Sequence, residues 1–168
     1  MSEWKMLTLV GEDRPGIVAR VTDALYRAGW NLGEASMIRL GGNFTIMMMV
    51  AGSGDIETTL APVVRDLGLH LHVDPIKGEL HRHRIPNIQV RVNGADRAGI
   101  VSQVTGALAE NGFNILELES DVAGSPRQPV YIMNIQGVSA TPLEQLEQVL
   151  AGLEDVDVSV SSIETLIG

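Results

Sequence analysis

The segment Gly11-Glu-Asp-Arg-Pro-Gly-Ile-Val18 returns as Gly94-Ala-Asp-Arg-Ala-Gly-Ile-Val101, an offset of 83 residues. At that offset Val21, Thr22, Ala24, Leu25, Gly29, Asn31 and Glu34 match Val104, Thr105, Ala107, Leu108, Gly112, Asn114 and Glu117. From Gly11 to Glu34, 13 of 24 positions are identical without a gap. A length of 168 residues alone would predict one domain, but an internal repeat overrides that prior. The period is too long for a solenoid unit and long enough for a small domain. The expected organisation is a first domain over residues 1–76, a linker over 77–86 and a second domain over 87–168. The linker carries His81-Arg82-His83-Arg84, read as a solvated segment.

Each half reads in the same order. Lys5 to Val10 is a strand rich in β-formers, followed by a turn. Ile17, Val21, Ala24, Leu25 and Ala28 then share one helical face, and Gly29 stops the helix. Strands Asn31 to Leu40 and Phe44 to Ala51 are joined at Gly41-Gly42, a tight-hairpin pair. Ile56, Leu60, Val63, Val64 and Leu67 predict a second helix, with Pro62 expected to kink it or delay its start. Leu69, Leu71 and Val73 alternate with His70, His72 and Asp74, a half-buried strand. The second half repeats this as a strand at Ile88 to Val92, a helix from Gly99 to Asn111, and strands Phe113 to Val122 and Val130 to Gly137. Its last helix is expected to start with Thr141 as cap, Pro142 in the first position and Glu144 closing a capping box. A strand through Val156 to Val160 ends the series.

The order βαββαβ, twice, predicts an α+β chain of two ferredoxin-like domains. Each has a four-stranded antiparallel sheet with both helices on one face. The other sheet face is left bare, and a second copy of the same domain is the expected cover.

Charge and composition exclude several functions. Twelve basic against 21 acidic residues give a net charge of −9. A general nucleic-acid binder needs a positive surface to displace counterions, so direct nucleic-acid binding is not expected. There is no cysteine, which removes disulfides, thiolate metal sites and thiol nucleophiles. Met1-Ser2-Glu3-Trp4-Lys5 does not look like a signal peptide, and no apolar run approaches a membrane span. A soluble, cytoplasmic protein without membrane contact is expected.

The repeated turn carries the readable chemistry. Gly16 and Gly99 allow close backbone approach or positive φ. Asp13 and Asp96 can cap the following helix or hold a cation. The helix start attracts an anion such as a carboxylate. Asn31 and Asn114 add paired donors and acceptors. Such a set suits a zwitterionic amino acid, although Gly, Pro and Asp at a strand-to-helix turn are also ordinary turn chemistry.

The Asp-Arg-Pro-Gly-Ile-Val turn, the Ala-Leu and Ala-Gly-Trp-Asn residues after it, and the βαββαβ order resemble the ACT domain. Two such domains and little else resemble the glycine cleavage system transcriptional repressor family. The resemblance implies a non-enzymatic regulator that senses a small amino acid, glycine being the natural effector. It also implies action on a LysR-type activator protein rather than on DNA. The bare sheet face, for its part, leads to the expectation of a homodimer. By the same resemblance Asp13, Arg14, Pro15, Gly16, Ile17 and Asn31 line one candidate ligand site. Asp96, Arg97, Ala98, Gly99, Ile100 and Asn114 line the second, where Ala98 departs from the proline of the first copy. An amino-acid-binding subunit that controls a metabolic enzyme is the alternative.

Other constellations point elsewhere. His70, His72 and Asp74 share a strand face and could offer metal ligands, but a polar outer face accounts for them. Met47-Met48-Met49 lie in an inner strand, where core and interface packing is expected. No acid/base couple, catalytic triad, P-loop or dinucleotide fingerprint is present, and neither a metal nor a cofactor is expected.

Overall fold

A computed structural model describes residues 3–76, 84–95 and 98–164. The chain divides into two compact units, Met1–Leu80 and His81–Gly168. In the first, the elements are β1 (Trp4–Glu12), α1 (Ile17–Arg27), β2 (Asn31–Leu40), β3 (Asn43–Ala51), α2 (Ile56–Leu67) and β4 (His70–Pro75). In the second they are β5 (Ile88–Ala95), α3 (Ala98–Glu110), β6 (Asn114–Ser125), β7 (Gln128–Val138), α4 (Leu143–Ala151) and β8 (Val156–Ser162). The sheets run β2-β3-β1-β4 and β6-β7-β5-β8, every neighbouring pair antiparallel. The twice-repeated βαββαβ order is therefore the observed fold. Of the expected linker, residues 77–83, with His81, Arg82 and His83, lie outside the described residues.

Alternation along the strands assigns the two faces of each sheet. Leu7 and Leu9 of β1 and Phe44, Ile46, Met48 and Val50 of β3 are buried with Ile17, Val21, Leu25, Ile56 and Leu60 from the helices. The second core repeats this with Val90, Val92, Met133 and Ile135 against Ile100, Val104, Leu108, Leu146 and Leu150. Each such side chain contributes about 1.5–3 kcal/mol on burial, so these stripes hold the helices to one face. Among the described residues no polar side chain is buried.

The aromatic residue after the first helix has a matched role in both units. A Cβ on Gly52 would lie 2.6 Å from the Trp30 ring, and one on Gly137 would collide with the Phe113 ring. A glycine seats each ring, Gly52 just after β3 and Gly137 within β7.

Three local expectations are corrected. Pro62 does not delay α2, which starts at Ile56. Asp55 caps that helix instead, accepting from the Glu57 N–H and the Thr58 hydroxyl. Thr141 is not the cap of α4. Pro142 takes that position without a side-chain bond, and the Thr141 hydroxyl donates to the Asn111 carbonyl at 2.7 Å. Of the three consecutive methionines, Met48 packs in the core whereas Met47 is 47% exposed on the other sheet face.

Candidate functional site

The turn between β1 and α1 is built by a chain reversal that only glycine makes cheaply. Gly16 holds φ at 86° and stands as the N-cap of α1. Its carbonyl receives the first helical bond, from Arg20 N–H at 3.0 Å. No side chain caps this end, so the first-turn N–H groups and the positive end of the helix dipole face outward. Ile17 anchors the start in the core, while Arg14, Pro15 and Gly16 are exposed.

Asp13 does not take the cap expected of it. Its carboxylate lies 2.6 Å from the Arg39 guanidinium, near the end of β2. Its backbone N–H donates to the Gly42 carbonyl of the β2–β3 hairpin at 3.1 Å. The Asp13 side chain is 29% exposed, so the pair stands at the rim of the turn, open to exchange with solvent. Arg14 turns the other way and pairs with Glu12 at 3.0 Å. Arg39 was not among the residues singled out in the sequence. It lies 26 positions from Asp13, and only the hairpin register brings them together.

Asn31 is not at this turn. Strands β1 and β2 both pair antiparallel with β3, so they run parallel to each other. Asn31 and Trp4 both oppose Ala51, whereas Leu40 and Glu12 both oppose Asn43. The first pair marks one end of the sheet and the second pair marks the turn end. Eight residues of strand put Asn31 roughly 26 Å from the turn of its own domain. Asn114 is displaced likewise. It opposes Val138 beside the start of β5, while the second turn follows the end of β5.

The second turn differs from the first. Asp96 and Arg97 lie outside the described residues. Helix α3 begins at Ala98 and takes in Gly99, which is not among the positive-φ glycines. Ile100 is buried like Ile17. At the position equivalent to Arg39 the second copy has Val122, 52% exposed. The position that supplies the guanidinium in the first copy thus carries no charge in the second.

His70, His72 and Asp74 do share the outer face of β4, and His72 pairs with Asp74 at 3.1 Å. Among the described residues no cluster of three such side chains is arranged to hold a metal. A shallow groove runs between α2 and β4, lined by Val64, Arg65, Leu69 and His70 among others; it contains none of the turn residues. Among the described residues no helix is long and apolar enough to cross a membrane.

Family comparison agrees with this architecture. ACT-domain profiles match residues 6–74 and residues 88–154. The chain is 28% identical over 144 residues to the glycine cleavage system transcriptional repressor of Escherichia coli K12, covering 82% of this chain and 74% of that protein. The same figures hold for the repressor of Shigella flexneri. Among solved structures, a protein of unknown function from Galdieria sulphuraria superposes with a TM-score of 0.75 at 25% identity, covering 98% of this chain and 100% of that one. A structure provisionally assigned as a glycine cleavage system transcriptional repressor gives 0.74 at 25% identity, covering 98% and 99%.

Proposed function

Because the chain belongs to the ACT-domain family, with one such domain in each half, we propose that it is a non-enzymatic amino-acid-sensing repressor of glycine cleavage genes, acting as a homodimer on an activator protein. The observation that carries this reading is the similarity to a repressor of that system over 144 residues, which run through both domains. The net charge of −9 supports a protein target, since a field of that sign repels DNA.

In this reading the first turn is the ligand site. An amino acid carries one ammonium and one carboxylate close together. Asp13 suits the ammonium; Arg39 and the open N–H groups at the start of α1 suit the carboxylate. The ligand exchanges one surface ion pair for two of its own. Arg14, Pro15, Gly16 and Ile17 shape the turn around it. Asn31 and Asn114 stand at the far ends of their sheets and take no part in the turn of their own domain. The second site, with Asp96, Arg97, Ala98, Gly99 and Ile100, lacks the arginine and binds more weakly. A small ligand such as glycine fits an open rim without a side-chain pocket.

Binding regulates only if the ligand prefers one of two states of the protein, and that preference sets the change in affinity for the activator. The test is co-purification of the full chain with a LysR-type activator of the glycine cleavage genes, with and without glycine. The expected result is a complex whose amount changes with glycine. A chain that never associates with the activator would overturn the mechanism.

A further inference from the structure

The two homologous sheets expose chemically different open faces. On the first, the outward positions are Met6, Thr8 and Val10 of β1, Thr45, Met47 and Met49 of β3, Ser36, Ile38 and Leu40 of β2, and the His70–Asp74 row of β4. Ile38 is 64% exposed, Leu40 75% and Met47 47%. The charges on this side are few and stand at its borders: Asp74, in contact with the His72 imidazole at 3.1 Å, and Glu12, paired with Arg14. On the second sheet the equivalent positions hold Gln89, Arg91, Asn134 and Gln136, with Glu117, Glu119, Asp121 and Asp157 around them. Its apolar members are Ile132 and, near the hairpin end, Val130.

We infer that the open face of the first sheet packs against the same face of a second copy of this chain; this rests on the homodimer of the proposed function and names its surface. Two observations select that occupant. The chain carries −9, so self-association needs a place where like charges do not crowd, and the first face holds only the Asp74 carboxylate and the Glu12–Arg14 pair at its borders. It is also self-complementary, because an apolar centre with methionine side chains adapts to an identical apolar centre. The second face, with four carboxylates against Arg91, would repel its own copy. The size is adequate. Four strands at ~4.8 Å spacing and about seven residues at ~3.4 Å give a face of roughly 19 by 24 Å. Once side-chain relief is added, this approaches the ~800 Å² per partner of a standard interface. Two such faces stack ~10 Å apart with their strands within about 30° of each other.

Sedimentation of the full chain tests it, with Met47→Glu, Ile38→Glu and, as control, Asn134→Glu on the second sheet. The wild type and Asn134→Glu are expected at twice the mass of one chain. Met47→Glu and Ile38→Glu are expected at the mass of one chain, with the dimer dissociation constant raised by at least about 100-fold. Met47 and Ile38 are exposed, Asn134 is half-buried and accepts a 2.7 Å bond from the Gln89 amide, and circular dichroism verifies that each variant is folded. A monomeric wild type, or dimers that survive both substitutions on the first face, would overturn the inference. So would equal dissociation by Asn134→Glu. Glycine titration on the same samples keeps the two readings apart. The expected mass pattern without glycine binding supports the interface and removes only the sensing reading.

Discussion

The Asp13 carboxylate sits 2.6 Å from the Arg39 guanidinium, tying the turn before α1 to the end of edge strand β2. Removing either group tests whether that pair is structural or a resting state of a ligand site. Exposed ion pairs contribute about 0–1 kcal/mol, so Asp13→Ala and Arg39→Val should each change stability by less than ~1 kcal/mol. Charge-assisted bonds to a ligand are worth about 1.5–3 kcal/mol. Affinity for an amino acid should therefore fall roughly 10–100-fold in either variant. Calorimetry and thermal melts on the same samples separate the two effects.

Gly16 and Gly99 are equivalent in the repeat but not in conformation. Gly16 has φ of 86° with open space around it, so Gly16→Ala meets backbone strain alone and should cost about 1–2 kcal/mol. Gly99 lies in the first turn of α3, and among the described residues a Cβ there meets only the Gln103 side chain, at 3.9 Å. Gly99→Ala should stabilise by up to about 1 kcal/mol. Denaturant melts should therefore show shifts of opposite sign.

Gly52 and Gly137 seat the Trp30 and Phe113 rings, and both alanine variants should destabilise by about 1–3 kcal/mol through overpacking. Gly137→Ala should be the worse of the two. Its Cβ also meets the Asn114 backbone carbonyl, which cannot rotate away as a side chain can. Urea midpoints of the pair measure the difference.

Asp55 caps α2, and its carboxyl is held below the usual range, first by the Thr58 hydroxyl bond and then by the backbone bonds at Glu57 and Thr58. A depressed folded value contributes stability above the ordinary carboxylate pKa and loses it as pH falls through the folded value. Asp55→Ala should lower the melting temperature at pH 7. The gap to the wild type should narrow below about pH 4, as the cap protonates.

The repeat made the fold legible, because identical turn and helix residues in both halves give the same element order twice. The ends of elements were less legible. Thr141 has a cap's side chain, yet its hydroxyl finds the Asn111 carbonyl, 30 residues earlier, first. The turn was half legible. Gly16 announces its own conformation, and the change from Pro15 to Ala98 marked the second turn as different. The partner of Asp13 was not visible, since Arg39 reaches it only through the pairing of β2 with β3. Asn31 looked close because it follows the helix directly. Helix α1 instead carries the chain back across the sheet, so that β2 begins at the far end.

Isothermal titration of the full chain with glycine and the other common amino acids tests the central claim most directly. The account predicts saturable binding of at least one small amino acid, glycine foremost, that weakens about 10-fold or more in Asp13→Ala. A chain that binds none of them, or binds one equally well without Asp13, contradicts it.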